Sequence, residues 1–102
     1  MNLYNVILTQ DAEIDLQEYI DYIIFDCDAP LTALRHYEDL FKTLERLHYI
    51  PETFPIQTGA SFLRFGINVR RINYKKMAII YTVHGDIVYI HRIMAANLII
   101  NT

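Results

Sequence analysis

The sequence predicts an α+β fold in which a helical hairpin packs on an antiparallel sheet, with the elements in the order β-α-α-β-β-β. Two observations support this prediction. Residues 67–94 contain three short runs rich in β-branched and aromatic side chains, separated by turn-forming segments at residues 73–76 and 84–86; this pattern is typical of an antiparallel meander. Residues 10–50 contain two apolar stripes at helical spacing with a proline-containing break between them, which predicts two helices joined by a short link.

The chain is expected to begin with a strand and a first helix. Residues 3–8 read LYNVIL, a short β-prone run. Thr9 can cap the helix that follows, because a threonine side chain accepts a hydrogen bond from a free N–H of the first turn. This helix is expected to run to about Phe25. Its buried stripe is expected to contain Ala12, Leu16, Ile23 and either Tyr19 or Ile20.

A second helix is expected to start near Pro30 and to end before Pro51. Proline suits the first turn of a helix, and the residue before a proline avoids the helical conformation. The stripe predicted to be buried contains Leu34, Tyr37, Phe41, Leu44 and His48, widened by Leu40 and Leu47.

The second half of the chain is expected to supply the meander. Residues 52–59 form a loop, residues 60–65 lead into the first strand, and the strands cover residues 67–72, 78–83 and 87–94. The middle strand is nearly all apolar, so it is expected to be paired on both sides. Residues 97–102 form either a last short strand or a tail.

Strict alternation along the last strand predicts which side chains share a face of the sheet. One face is expected to contain Ile87, Tyr89, His91 and Ile93. The other is expected to contain Val88, Ile90, Arg92 and Met94. One of these faces must pack against the helices, while the other can present polar groups.

Composition limits the class of protein. At 102 residues, of which 53% are hydrophobic, the chain is expected to form a single domain over residues 1–102. No run approaches the about 18 apolar residues of a membrane span, and the amino terminus does not resemble a signal peptide. Cys27 is the single cysteine, which excludes an internal disulfide and a cysteine-based zinc cluster. We therefore expect a cytoplasmic protein without a membrane partner.

The net charge of −3 conceals an uneven distribution. Residues 1–52 carry eleven acidic and three basic side chains, whereas residues 53–102 carry six basic and one acidic side chain. Such asymmetry can indicate an acidic partner for the basic half. It can equally arise because acidic helices attract a basic sheet within the same molecule.

No metal, nucleophile or phosphate site is predicted. His36, His48, His84 and His91 lie in different elements without metal-ligand spacing. Cys27 lies between two aspartates, which disfavour the thiolate that a nucleophilic cysteine needs. The three glycines are isolated, so no glycine-rich phosphate loop is present. We therefore predict no cofactor.

The candidate functional residues are basic and aromatic side chains of the sheet region. They are Arg64, Arg70, Arg71, Tyr74, Lys75, Lys76, Tyr81, Tyr89, His91 and Arg92. Cations near tyrosines can bind phosphates and stack on bases, which suits RNA. The alternative is that they are charges that protect a strand edge and ordinary cross-strand pairs.

The sequence resembles the RelE/ParE family of toxins from type II toxin–antitoxin systems. The resemblance covers nearly the whole chain. It lies in the opening YNVILTQDAEIDLQEYIDYI, in a second helix that ends before Pro51, and above all in VRRINYKKMAIIYTVHGDIVYIHRIM. It implies a small bacterial toxin held inactive by a cognate antitoxin, with which it can form a hetero-oligomer. The acidic helices and exposed apolar edges would form the antitoxin-binding surface.

The resemblance implies one of two activities. RelE-like members are ribosome-dependent mRNA endoribonucleases, and for that activity the candidate residues are Arg70, Arg71, Lys76, Tyr81 and His91. ParE-like members, often linked to plasmid stabilisation, instead inhibit DNA gyrase by binding it without chemistry of their own. For that activity the candidate target-binding residues are Arg64, Arg70, Arg71, Lys75, Lys76 and Arg92.

Departures from the nuclease pattern favour the ParE-like activity. Ala78 stands where the nucleases usually have arginine, and no tyrosine follows Tyr89. The basic residues usual after the last strand are replaced by Ala95-Ala96-Asn97-Leu98, which also removes the basic pair usual in ParE-like members. A net charge of −3 gives no strong positive field toward ribosomal RNA. A third possibility is a degenerate toxin that only binds its antitoxin.

Overall fold

The computed structural model describes residues 3–99, and in it two helices cover one face of a four-stranded sheet. The elements are β1 (Asn5–Leu8), α1 (Gln10–Asp21), α2 (Pro30–Glu45), β2 (Arg70–Tyr74), β3 (Met77–His84) and β4 (Ile87–Ala95). The predicted order β-α-α-β-β-β and the α+β class are therefore confirmed.

The strands lie in the order β1-β4-β3-β2. β3 pairs antiparallel with both β2 and β4, which confirms the meander. β1 adds to the outer side of β4 in parallel, with Asn5 beside Ile87 and Leu8 beside Ile90. The sheet is therefore mixed. The helical hairpin between β1 and β2 carries the chain back over the sheet, and a connection of this length allows β1 to run parallel to its neighbour β4.

Helix α1 begins as its sequence predicts. The Thr9 hydroxyl accepts a hydrogen bond of 3.2 Å from the N–H of Ala12, and it donates one of 3.1 Å to the carbonyl oxygen of His91. The cap therefore also fastens the helix to β4. The regular helix ends at Asp21 and continues as a π-helical turn over Tyr22–Asp26, so the predicted end near Phe25 is confirmed.

Helix α2 faces the core with only part of the predicted stripe, since Leu40, Leu44 and Leu47 are buried as predicted. Pro30 is its first residue, and a 3-10 turn over Arg46–His48 leads into Pro51. The buried side chains are Ala33, Leu40, Leu44 and Leu47. The prediction that Leu34, Tyr37 and Phe41 are buried is wrong, since they are 56%, 41% and 51% exposed. The apolar residues of α2 extend beyond the side that packs into the core, so part of its apolar surface remains in solvent.

Two apolar clusters enclose the sheet. Between sheet and helices lie Leu40, Leu44, Leu47, Ile72, Ile79, Tyr81, Val88, Ile90 and Ile93. On the opposite face lie Phe62, Val69, Ala78 and Ile80. Phe62 belongs to a 3-10 helix over Ala60–Phe65, a segment that the sequence predicted only as a connection. β3 is therefore covered on both faces, as its apolar sequence indicates.

A β-bulge in β4 changes the predicted faces of that strand. Tyr81 pairs with Ile90 and Ile80 pairs with Arg92, so His91 is the extra residue. Beyond the bulge the alternation is shifted by one position. Ile93 is therefore buried on the helix side with Val88 and Ile90. The predicted grouping of Ile93 with Tyr89 and His91 is wrong for this reason.

The described part of the chain ends in a 3-10 turn over Ala96–Leu98. Asn97 and Leu98 are therefore not in a strand. Residues 100–102, which complete the predicted last strand or tail, lie outside the described residues. None of the helices within residues 3–99 has the length and apolar character needed to cross a membrane.

The turn between β2 and β3 supports a first stability prediction. Lys75 has a φ of 52°, in the left-handed region that disfavours side chains with a Cβ, whereas Lys76 has no positive φ. We expect Lys75→Gly to raise the free energy of unfolding by about 0.5–1 kcal/mol, because relief of strain exceeds the entropy cost of glycine. Urea unfolding measures the change. The matched variant Lys76→Gly should not stabilise, and equal effects of the two would contradict the assigned conformation.

Candidate functional site

Four of the predicted cations lie at the β2 edge of the sheet, and we call Arg70, Arg71, Lys75 and Lys76 the basic edge. Arg70 is half-buried, and its Nη1 donates hydrogen bonds of 2.9 and 2.7 Å to the carbonyl oxygens of Glu52 and Phe54. The Arg70 side chain therefore holds the preceding loop against the sheet edge.

The other cations of the basic edge are held more loosely. Arg71 Nε donates a 2.9 Å hydrogen bond to Asn73 Oδ1. Lys75 and Lys76 are exposed in the turn, where Lys75 Nζ lies 3.4 Å from His36 Nε2. None of these contacts is an ion pair, so the charges of Arg71, Lys75 and Lys76 remain available to an acidic partner.

Arg92 is fixed within the molecule. Its Nε lies 2.7 Å and its Nη2 lies 3.0 Å from the two carboxylate oxygens of Asp15 on α1. Asp15 also accepts a 2.9 Å hydrogen bond from the N–H of Ile93. The hydrogen bond to Asp15 raises the pKa of Arg92 further, with a contribution from nearby acidic side chains of α1. Arg92 is therefore paired with an acid of α1, so at this position the acidic helix and the basic sheet attract each other within the molecule. A role of Arg92 in target binding stays a prediction.

On the face opposite the helices, a cationic and aromatic stack joins the 3-10 helix to β4. The Arg64 guanidinium lies 4.6 Å from the centroid of the Phe65 ring, and that ring lies 5.4 Å from the ring of His91. A pocket of about 310 Å³ opens beside the stack, lined by Thr9, Asp11, Arg64, Phe65, His91 and Arg92. Arg64 is exposed, so this stack is a second region that can contact a partner.

His91 and His84 meet at one buried hydroxyl. Thr82 Oγ1 lies 2.8 Å from His91 Nε2 and 2.9 Å from His84 Nε2. Because a hydroxyl has a single hydrogen, it can donate to only one of the two rings. Burial lowers the pKa of His91, and the neighbouring His84 lowers it further.

This arrangement predicts a loss of stability in acid. The folded protein binds the His91 proton less readily than the unfolded chain, whose histidine pKa is about 6.5. The stabilising contribution is therefore complete above that pH and decreases as the pH falls toward the lowered folded pKa. Unfolding by urea at pH 7.5 and pH 5 should show a smaller pH dependence for His91→Gln than for the parent chain. Identical pH dependence in the two proteins would contradict this prediction.

Tyr81 is removed from solvent. Its side chain is fully buried on the helix side, and its hydroxyl donates a 2.5 Å hydrogen bond to the carbonyl oxygen of Pro51. Burial raises the pKa of Tyr81 far above its usual range, opposed only in part by Arg70. Tyr81 and His91 therefore lie on different sides of the sheet, and the five candidate nuclease residues do not converge on one pocket.

An apolar groove was missed by the sequence reasoning. It has a volume of about 440 Å³ and lies between the 3-10 helix and the end of β4, with Phe62, Phe65, Ile80, Met94 and Leu98 among its lining residues. A second groove of about 290 Å³ lies on the α1 side of β4 and shares Met94 and Leu98. The sequence signal was the two phenylalanines between Gly59 and Gly66, which indicate a packed segment rather than a loop.

The histidines do not assemble a metal site in the described part of the chain. Within residues 3–99 there is no group of three or more histidine, cysteine, aspartate or glutamate side chains that could hold an ion. His36 contacts Tyr19 and Lys75, and His48 Nδ1 lies 2.8 Å from the carbonyl oxygen of Tyr4. These contacts give both rings structural partners. The absence of a cofactor stays a prediction.

Comparison with known proteins identifies the family. Residues 6–97 match the family model described as "ParE toxin of type II toxin-antitoxin system, parDE". A solved structure of the chromosomal ParDE TA system from P. aeruginosa has a similar fold, with a TM-score of 0.71 and 19% identity over 91% of this chain and 96% of that chain. No curated protein matches the sequence. Because the family model covers nearly the whole described chain, this protein belongs to the ParE toxin family of type II toxin–antitoxin systems.

Proposed function

We propose that this toxin acts in the cytoplasm by binding DNA gyrase, and that a cognate antitoxin neutralises it. The observation that carries this proposal is the burial of Tyr81, one of the candidate nuclease residues. Its side chain is fully buried, and its hydroxyl is hydrogen-bonded to Pro51. A general acid or base must reach the substrate, whereas a binding surface needs only exposed complementary groups.

The proposed target surface is the basic edge together with Arg64. Arg71, Lys75, Lys76 and Arg64 have no ionic partner within residues 3–99. Charges at the rim of an interface mainly set the association rate and the choice of partner. Arg70 contributes indirectly, because its hydrogen bonds to Glu52 and Phe54 shape the loop beside these charges.

The proposed antitoxin surface is the pair of grooves beside β4 and the acidic surface of α1. The 440 Å³ groove exposes apolar side chains such as Leu98, which is 66% exposed. An antitoxin segment with apolar anchors and basic flanks would complement both the groove and α1. The resulting hetero-oligomer would serve plasmid or locus stabilisation, since loss of the antitoxin would release the toxin.

The gyrase proposal is tested by supercoiling of relaxed plasmid with purified gyrase. We expect half-maximal inhibition at micromolar toxin. Arg71→Ala/Lys76→Ala should require about ten-fold more protein, because about 1.4 kcal/mol of binding free energy corresponds to ten-fold in affinity. Arg35→Ala/Lys42→Ala removes the same charge from α2 and should change inhibition less than about two-fold. No inhibition by the parent chain, or equal effects of the two double variants, would overturn the proposal.

A ribosome-dependent mRNA endoribonuclease is the second candidate. It is favoured by one observation: the Arg64–Phe65–His91 stack presents a cation and aromatic rings of the kind that bind unpaired bases. Translation-dependent mRNA cleavage that disappears in Arg71→Ala/His91→Ala would support it. Normal growth during overexpression of the parent chain would instead indicate a degenerate toxin that only binds its antitoxin.

A further inference from the structure

The outer side of α2 exposes an apolar line that the fold does not cover. Leu34, Tyr37 and Phe41 follow one another at i, i+3 and i+7, so they lie on one side of the helix. They are 56%, 41% and 51% exposed, and the rings of Tyr37 and Phe41 lie 5.7 Å apart. We call these three residues the α2 face. Adjacent exposed apolar side chains on a regular helix are typical of a helix–helix interface.

Charges of both signs run along one side of the α2 face. In order they are Arg35, Glu38, Asp39, Lys42, Glu45 and, at the C-terminal end of the helix, Arg46; within residues 3–99 none of the six forms an ion pair. Their sum is zero, in contrast to the acidic excess of the first half of the chain. A strongly charged partner is therefore not complementary to this side of α2, whereas a helix with the same alternating pattern is.

A second copy of the chain has that pattern. When two α2 helices pack antiparallel about a two-fold axis, the same side of each helix meets its equivalent. With the axis near Leu40, Arg35 faces Glu45 of the second copy, and Glu38 faces Lys42 of the second copy. A single register therefore pairs four of the six charges, and symmetry repeats each pair.

We propose that two copies of this toxin associate through the α2 face as an antiparallel helix pair. In the same register Phe41 and Tyr37 lie within one helical turn of the axis, so the aromatic rings of both copies meet at the centre. The face is small, and interfaces of low area are weak, so we expect a dissociation constant of about 1–100 µM. The basic edge and the grooves beside β4 remain uncovered in this dimer.

Sedimentation equilibrium of the purified 102-residue chain tests the proposal. Between 1 and about 300 µM protein, the weight-average mass should rise from 12.0 kDa toward twice that value. Phe41→Ser should raise the dissociation constant at least about ten-fold, as expected for an aromatic residue at an interface centre. Leu63→Ser is the matched control, because Leu63 is 73% exposed on the opposite side of the sheet and should leave the association unchanged.

A charge exchange tests the register. Lys42→Glu places two glutamates opposite each other at both symmetry-related positions and should weaken the dimer about ten-fold. Adding Glu38→Lys to Lys42→Glu exchanges the two charges, so a lysine again faces a glutamate. The dissociation constant should then return to within about three-fold of that of the parent chain. Circular dichroism confirms that each variant is folded, so loss of dimer is separated from loss of structure.

The remaining outcomes would overturn the proposal. A parent chain that stays at 12.0 kDa over the whole range shows that α2 does not mediate self-association. Equal weakening by Phe41→Ser and Leu63→Ser, or a dimer insensitive to both, places the interface elsewhere. Failure of Glu38→Lys to rescue Lys42→Glu contradicts the antiparallel register.

Discussion

Replacing Asp15 with alanine is expected to lower the free energy of unfolding by about 2–4 kcal/mol. The Asp15 carboxylate is only 10% exposed, and it accepts hydrogen bonds from Arg92 and from the N–H of Ile93. Its removal leaves a half-buried guanidinium and a backbone N–H without their acceptor. The desolvation penalty of these unpaired groups exceeds the net stabilisation that the intact pair provides. The loss of stability is also expected to be larger than for a surface ion pair, because the hydrogen bonds of Asp15 connect α1 to β4 directly after the bulge.

Chemical denaturation of Asp15→Ala and Glu18→Ala provides the comparison. Glu18 is an exposed acid of the same helix without a hydrogen bond to the sheet, and its replacement should change stability by less than about 0.5 kcal/mol. Asp15→Asn should lie between the two, because the amide oxygen can still accept one hydrogen bond. If Asp15→Ala were as stable as Glu18→Ala, the Arg92 pair would have no structural role and Arg92 would again be a candidate for target binding.

The second large effect is expected at Tyr81. Truncation to alanine should cost about 3–5 kcal/mol, since it removes a fully buried aromatic ring from the core between sheet and helices. Tyr81→Phe keeps the ring and removes only the hydrogen bond to Pro51, which should cost about 1–2 kcal/mol. Thermal unfolding measures both, with Tyr49→Phe as a control on an exposed tyrosine that should change stability by less than about 0.5 kcal/mol.

The Tyr81→Phe variant also separates structure from chemistry. If the hydroxyl only holds the loop at Pro51, the variant should keep its toxicity whenever it is folded at the growth temperature. A well-folded Tyr81→Phe protein without toxicity would show that the hydroxyl takes part in a reaction. That result would contradict the binding mechanism and favour the nuclease.

Features governed by local rules were predictable from the sequence. The Thr9 cap, Pro30 at the first position of α2 and the turn at Gly85, whose φ is 62°, lie where the residue types place them. Each depends on the conformational preference of one or two residues, which the sequence states directly. The order of elements follows from these boundaries together with the apolar periodicities.

Features decided by tertiary packing were not predictable. Leu40 and Phe41 are both apolar residues of α2, and only the contacts with the rest of the fold decide that Leu40 is buried while Phe41 is exposed. The bulge at His91 shifts the alternation of β4, although nothing in the alternating sequence indicates an extra residue. For the same reason the Arg92–Asp15 pair, which joins residues far apart in the chain, could not be inferred from spacing.

For the candidate site, the sequence therefore predicted the types of residue more successfully than their arrangement in space. Lys75 and Lys76 are exposed in a turn, as polar turn residues are expected to be. Tyr81 was selected as an aromatic side chain near the cations of the sheet, but its position on an apolar strand determined burial instead. The groove lined by Phe62 and Phe65 was overlooked because residues 60–65 have neither strand nor helix periodicity.

The most direct test of the binding mechanism is the order in which syntheses stop after the toxin is expressed without an antitoxin. Pulse labelling of DNA and of protein over the first minutes of expression distinguishes the two targets. Gyrase inhibition predicts that DNA synthesis falls first while translation continues, and that Tyr81→Phe behaves like the parent chain. Arrest of protein synthesis before DNA synthesis, with cleaved mRNA in the same cells, would contradict the gyrase mechanism.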